Sequence, residues 1–393
     1  MKIKEGFLTY CTNIHPGNNW DEHFIELQKN VPKVKGQITP DKSMGLGLRV
    51  SYQMSEDLKN HQKKEEFTSW LQENDVYVFL INGFPYGQFH HTVIKDKVHH
   101  PDWTTPERLL YTQDLFTLLA DLLPDEIEEG GISTSPLSYR YWFKDTQSSQ
   151  DGIVKATGQI VLVAEFLHEM SIRTGKFLHL DVEPEPDGLI EDGAEFIHWY
   201  KEILLPTAHR YFSDKGLNTD RIEGIIRTHI RLCYDVCHMA VEFENQKTLI
   251  GQLNKYEIPI GRLQLSSALR LPPEAHPSLL EPFDEPQYLH QVVIESDEGR
   301  LIKYPDLPDA LADNLHQDRE WRTHFHVPLF TDRYGELRST IDYVKEILEI
   351  NKNISLTKNF EIETYTWEVL PKDLQLPISE SIARELEFIL NII

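Results

Sequence analysis

The sequence predicts an eight-stranded parallel β/α barrel, on three observations. Short β-rich runs alternate with longer helical patterns along the whole chain, the order that parallel βα units produce. Eight principal runs of this kind occur, the number a closed barrel needs. The 393 residues exceed a typical barrel of about 250 but suit one that carries insertions. No linker-like stretch divides the chain, so residues 1–393 are expected to form a single barrel domain.

The strands are expected at residues 7–12, 46–51, 76–81, 131–134, 177–182, 230–235, 262–266 and 360–365, with a further β-like segment at 324–329. The first helix, 20–31, carries Phe24, Leu27 and Val31 on one face. A strongly charged helix is expected over 56–73. Thr105-Pro106 reads as an N-cap followed by proline at the first helical position, opening a helix over 107–123. Residues 153–174 hold Ile160, Val163, Ala164 and Leu167 at helical spacing, and Gly175 supplies the stop. Helices over 192–212, 238–251, 336–350 and 379–392 complete the set; in the last, Ile382, Leu386, Ile389 and Ile393 form one apolar stripe. Such stripes are read as core packing.

Two stretches exceed a minimal barrel. Residues 83–106 follow the third strand and contain Tyr86, Phe89, His90, His91, His99, His100 and Trp103; residues 269–321 follow the seventh and are rich in proline and acid. Both leave from the C-terminal ends of strands, the active face of a barrel, so they are expected to be lids or pocket walls.

Composition narrows the partners. Asp and Glu outnumber Lys and Arg 63 to 39, a formal net charge of −24. Such a field repels phosphate backbones and anionic lipid, and no basic cluster offsets it, so no nucleic-acid partner is expected. No apolar run approaches the roughly 20 residues of a membrane span. Three cysteines cannot make a disulfide framework, and residues 1–6 lack the apolar core of an export signal; a cytoplasmic location is expected.

The polar residues at strand ends suggest a divalent-metal centre, which needs anionic or imidazole ligands converging from several strands. Strand five ends in Glu183-Pro184-Glu185-Pro186, and a proline cannot continue a ladder, so Glu183 is left at the rim. Strand six ends in Asp235, with His238 on the following turn. Strand seven offers Gln264, and strand eight offers Glu361 and Glu363 on one face. His324 and His326, two residues apart, can point to one side of an extended segment. Taken singly, Asp235 also fits a helix N-cap and His238 a helix-start histidine. Taken in order, Glu183, Asp235, His238, Gln264, His324, His326 and Glu363 occupy successive strand ends. Asn13, His15, Arg49 and Asn82 lie at the ends of the first three strands, where they can bind substrate hydroxyl or carbonyl groups or serve as turn caps and ion pairs. Cys233 and Cys237 are expected to be buried structural thiols.

That order resembles the xylose-isomerase-like TIM-barrel superfamily, which includes sugar isomerases, epimerases and endonuclease IV-type repair enzymes. Asp235-Val236-Cys237-His238 resembles its strand-six signature, Glu183 its strand-five glutamate, and Glu363 its strand-eight glutamate. A closer resemblance, to the EboE family of metabolite-traffic proteins, is carried by five segments. They are Leu8-Thr9-Tyr10-Cys11-Thr12-Asn13-Ile14-His15-Pro16-Gly17, Asn82-Gly83-Phe84-Pro85-Tyr86-Gly87, Tyr234-Asp235-Val236-Cys237-His238, His324-Phe325-His326-Val327-Pro328-Leu329-Phe330 and Glu363-Thr364-Tyr365-Thr366-Trp367. The resemblance implies a place in a bacterial pathway for secondary-metabolite precursors, with other Ebo-cluster proteins as partners.

The superfamily pattern implies that Glu183, Asp235, Gln264, His324, His326 and Glu363 hold the metal. It also implies that Glu183 and Glu363 exchange a proton next to a substrate carbonyl, while His238 contacts a substrate hydroxyl. The implied substrate is a sugar, polyol or cyclitol-like metabolite. Two positions depart from the pattern: Gln264 stands where many members have histidine, and His324 where an acid is usual. The amide favours a hard ion such as Mg or Mn, whereas the added imidazole suits Zn, Mn or Fe. The competing readings are a non-catalytic metabolite-binding barrel and an endonuclease IV-like phosphodiesterase. The latter requires histidines at strand ends two and three, where this chain has Arg49 and Asn82, and a basic face that it lacks.

Overall fold

The computed structural model describes residues 1–88, 93–313, 315–316, 318–367 and 375–393. Eight strands form its centre: β1 (Phe7–Tyr10), β2 (Met44–Arg49), β3 (Val76–Asn82), β4 (Glu129–Thr134), β5 (Phe177–Val182), β6 (Ile230–Asp235), β7 (Ile260–Leu265) and β8 (Asn359–Ile362). Each pairs in parallel with its neighbours in the order β1-β8-β7-β6-β5-β4-β3-β2. A bridge between Cys11 and Gly47 links the two edge strands, so the barrel is nearly closed. Strands covered on both faces are almost continuously apolar, as in Val78, Phe79, Leu80 and Ile81, all fully buried.

The barrel axis is not apolar throughout. Arg262 donates from Nε to Asp181 Oδ2 (2.9 Å) and from Nη1 to Glu361 Oε2 (2.7 Å), and all three residues are 0% exposed. His179 Nδ1 meets the other oxygen of Asp181 at 2.5 Å. Space for this cluster comes from glycine: a Cβ on Gly47 would strike Glu361 Oε1, and one on Gly261 would strike Asp181 Oδ1.

Outside the barrel the helices match the expected elements with several corrections. The charged stretch is two helices, Tyr52–Leu58 and His61–Glu73, because the Asn60 side chain caps the second by accepting from the Gln62 and Lys63 amides. Residues 236–255 likewise split into Val236–Val241 and Gln246–Lys255, the latter capped by Asn245. The helix beginning at Gly193 passes through a wide π-turn, Trp199–Leu204, ahead of Pro206, whose nitrogen cannot donate to the helical ladder. A helix over Thr219–His229 was not anticipated, although Asn218 caps it and Ile222, Ile225 and Ile226 face the core.

The largest correction concerns the second insertion. Six strands, Leu269–Leu271, Val292–Glu295, Leu301–Tyr304, Trp321–Thr323, Arg333–Tyr334 and Leu337–Ser339, form an antiparallel sheet. Its apolar cluster includes Leu269, Val292, Ile294, Trp321 and Phe325. The expected strand over 324–329 is displaced to Trp321–Thr323, and the helix expected from 336 starts at Ile341 because 337–339 join this sheet. The first insertion contains a short helical turn, Lys95–His99, while Phe89, His90 and His91 lie outside the described residues. The two insertions meet: the Ile94 and Lys95 amides donate to Gln287 O at 2.9 and 3.1 Å, and Lys95 pairs with Asp306.

Two outcomes follow from the buried charges. Arg262→Met leaves Asp181 and Glu361 without their shared cation, so a loss of about 3–5 kcal/mol in unfolding free energy is expected. Urea denaturation measures it, and an unchanged midpoint would overturn the role given to Arg262. His229, 1% exposed and donating from Nδ1 to Leu178 O at 2.7 Å, is pushed by burial down to about 4. Its ordinary value is about 6.5, so the unfolded chain binds the extra proton as pH falls through that window and stability is lost there. Replacement by glutamine is expected to flatten the pH dependence of the urea midpoint over that window.

Candidate metal centre

The acidic residues collect where the barrel strands end. Glu183 immediately follows β5, Asp235 closes β6, and Glu363 follows β8. Their exposures of 2%, 0% and 5% put all three carboxyls out of water. Each offers an oxygen that lies within 4.8 Å of the other two.

Asp235 divides its oxygens between two tasks. Oδ1 caps the helix Val236–Val241, accepting from the amides of Cys237 (2.7 Å) and His238 (3.2 Å), and also from Ser266 Oγ (2.6 Å). Oδ2 accepts no hydrogen bond from any described residue. The helix-cap and site readings of this residue are therefore compatible. Glu183 also keeps one oxygen, Oε2, without a hydrogen-bond donor among the described residues. Glu363 is more constrained: Oε1 accepts from Asn13 Nδ2 (2.6 Å) and Asn82 Nδ2 (2.8 Å), and Oε2 accepts from Gln264 Nε2.

Three imidazoles adjoin these acids. His238 Nδ1 lies 2.9 Å from Pro184 O, and His326 Nδ1 lies 3.0 Å from Glu363 O. A carbonyl oxygen only accepts, so both rings carry a proton on Nδ1, and in the neutral ring Nε2 is then the lone pair. His324 Nε2 stands 3.1 Å from His238 Nε2 and 3.3 Å from His326 Nε2. Asp235, His238 and His326 form a second set of donor atoms within 4.8 Å of one another, and Cys237, His324 and His326 a third. Cys237 donates to Phe325 O at 3.3 Å, and burial pushes its thiol well up. Cys233 donates to Gln264 Oε1 at 3.0 Å.

Burial drives Glu183 and Glu363 well above the usual carboxylate range, and the neighbouring carboxylates push in the same direction. Burial pushes His324 well below the ordinary imidazole value, with His238 and His326 adding to the shift, and brings His326 down to about 4. The ion-pair partners of the three acids among the described residues are histidines: His238 for Glu183 and Asp235, at 3.7 and 4.0 Å, and His326 for Glu363, at 3.6 Å. Arg262 is already bonded to Asp181 and Glu361. The donor set of carboxylate oxygens and imidazole nitrogens, with two buried carboxylate oxygens lacking donors, fits a divalent cation.

The remaining expected residues divide. Asn13 and Asn82 line a cavity together with Glu183, His238, His324 and His326. Gln264 directs its amide nitrogen at Glu363 and, at 3.4 Å, at Glu183, while its oxygen receives the Cys233 thiol. It thus braces the acids as a donor, and its oxygen is engaged away from them. His15 is buried against the Tyr10 hydroxyl at 3.1 Å. Arg49 donates to Gly17 O (3.2 Å) and Gly87 O (3.1 Å), tying two loops together. Neither His15 nor Arg49 is among the cavity-lining residues.

Sequence reasoning passed over three residues that face the cavity. Glu185 stands two positions beyond Glu183, and alternate residues of an extended segment share a side. His99, from the first insertion, places Nε2 3.0 Å from Glu185 Oε1 and is 1% exposed. Gln291, from the second insertion, carried no signal beyond its place in a long polar stretch.

No protein-family model and no curated protein matches the chain by sequence. Among solved structures, a xylose isomerase-like TIM barrel protein from Mycobacterium smegmatis in complex with magnesium superposes with a TM-score of 0.50. The alignment spans 98% of this chain and 96% of that one at 11% identity. The IolI protein with a bound zinc atom aligns at 13% identity over 98% of this chain and 97% of that one, with a TM-score of 0.49. A family 2 AP endonuclease from Brucella melitensis aligns over 66% of this chain and 79% of that one at 9% identity, with a TM-score of 0.36. The first of these likenesses shows the fold: this chain folds as a β/α barrel like that of the xylose isomerase-like protein.

Proposed function

We propose that this chain is a divalent-metal-dependent isomerase or epimerase-like enzyme acting on a sugar, polyol or cyclitol-like metabolite. The observation that carries the reading is the buried carboxylate cluster. Glu183, Asp235 and Glu363 converge at the strand ends, with two oxygens that accept no hydrogen bond from any described residue. Removing that much negative charge from water without a cation is costly.

A cation held by these acids and the adjoining imidazoles would polarise a substrate carbonyl or hydroxyl and favour loss of a neighbouring proton. The chain's own groups then divide the work. Glu363 accepts from Asn13, Asn82 and Gln264, and donors of this kind favour its charged form and fix its position. Glu183 keeps one oxygen without a donor, which makes it the better proton acceptor of the two. His238 is anchored through Nδ1 to Pro184 O, which leaves Nε2 on the cavity side. His99 and Glu185 line the same cavity and supply hydrogen-bonding groups for substrate hydroxyls. Tyr288 and Tyr365 add apolar wall surface.

A cytoplasmic EboE-type role, with other Ebo-cluster proteins as partners, is supported by the position of the segments that carry that resemblance. Asn13, Asn82, His238, His324, His326, Glu363 and Tyr365 all belong to those segments and all line the cavity. No helix among the described residues is long and apolar enough to cross a membrane.

Two measurements test the reading. Elemental analysis of the purified protein should find stoichiometric metal that is lost when Glu183, Asp235 or Glu363 is replaced by alanine. Failure to take up Mn, Zn, Mg or Fe under any loading condition would favour the non-catalytic, metabolite-binding barrel. The second measurement is deuterium exchange from solvent into carbon-bound positions next to the carbonyl of keto-sugars and keto-cyclitols, followed by NMR. Metal-loaded protein should catalyse it, and Glu183→Gln should slow it by about 100-fold or more, the scale of a general-base contribution.

A further inference from the structure

The second insertion does more than wall the cavity. Gln291, 3% exposed, directly precedes its strand Val292–Glu295. The Gln291 Nε2 donates to Pro186 O at 3.1 Å, and a carbonyl oxygen can only accept. That bond fixes the amide, so Oε1 is the atom 2.8 Å from His324 Nδ1. An amide oxygen also only accepts, so His324 holds a proton on Nδ1, and in the neutral ring Nε2 is unprotonated. The backbone strengthens the grip: the His324 amide donates to Gln291 O at 2.9 Å, and His290 Nδ1 meets His324 O at 3.0 Å. The His290 ring stacks on Phe325 at 3.8 Å between centroids. His324 is therefore clamped on one edge by the insertion, and its Nε2 faces His238 and His326. Three Nε2 lone pairs with contacts of 3.1 and 3.3 Å repel one another unless a proton or a metal cation lies between them.

We infer that Gln291 is a positioning residue of the centre, whose amide oxygen holds His324 in the Nδ1-protonated tautomer and so presents Nε2 as a ligand beside His238 and His326. Gln291 also bonds to the segment that carries Glu183 and Glu185, so the same side chain ties the insertion to the barrel rim. The inference rests on the metal reading of the site, and its test separates the two.

Two substitutions distinguish the acceptor role from simple packing. Gln291→Met keeps the length of the side chain and removes the acceptor; Gln291→Glu keeps an acceptor toward Nδ1. Both lose the bond to Pro186. Long-range proton–nitrogen NMR of the metal-free full chain, with ring-labelled histidine and His324 assigned through His324→Gln, reads the tautomer directly. The parent and Gln291→Glu should show Nδ1 protonated, and Gln291→Met should shift the proton to Nε2. In a cobalt titration followed by visible absorption, Gln291→Met should bind the metal about 10–100-fold more weakly, the scale of lost outer-shell partners, while Gln291→Glu stays near the parent. Equal effects of the two variants, or Nε2 protonation in the parent that still takes up cobalt, overturn the role of Gln291. The expected tautomer in a parent that takes up no cobalt overturns the metal reading itself, and the ligand role with it.

Discussion

Buried negative charge is the constraint on which this structure turns. Asp181, Glu183, Asp235, Glu361 and Glu363 are all removed from water within or at the mouth of one barrel. Arg262 reaches two of them, Asp181 and Glu361; burial alone would lower its pKa, but these anions outweigh it and hold the guanidinium charged. The remaining three face the imidazoles of His238 and His326, and burial lowers the pKa of His326. The barrel thus has a lower charged layer paired with Arg262 and an upper one whose acids face histidines. The glycines at 47 and 261 belong to the same design, since a side chain at either would collide with the lower layer.

The insertions extend that design rather than decorate it. His324 and Gln291 both come from the stretch between β7 and β8, and His99 comes from the stretch after β3. Contacts of Ile94 and Lys95 with Gln287, and of Lys95 with Asp306, join the two stretches over the cavity they line. Residues distant in sequence therefore depend on one another: the ring orientation of His324 is set by a glutamine that answers to a carbonyl two residues beyond Pro184.

Much of the barrel was legible because buried parallel strands carry an unmistakable apolar signature, and all eight were placed within a few residues. The acids Glu183, Asp235 and Glu363 were legible because polar residues at the ends of such strands stand out. The inserted sheet was not, because its prolines and acids at 272–286 mask the short runs at 292–295 and 301–304. The fates of His15 and Arg49 were hidden for a different reason. A strand-end position does not fix where a long side chain points, and both turned to loop carbonyls or a tyrosine hydroxyl. The orientation of the Gln264 amide depended on Cys233 of the neighbouring strand, a diagonal contact, since Gln264 lies opposite Asp235 and Cys233 opposite Arg262.

Asp235 carries a consequence for coordination chemistry. Three donors hold its Oδ1, two of them backbone amides at the start of a helix and the third Ser266. The carboxylate cannot swing to chelate an ion through both oxygens without uncapping that helix, so it would hold the proposed metal through Oδ2. Glu363 is similarly occupied on both oxygens. If the centre holds the proposed metal, Glu183, the least tethered of the three, is the ligand free to change its coordination. Denticity in the proposed centre would be set by the helix that begins at Val236.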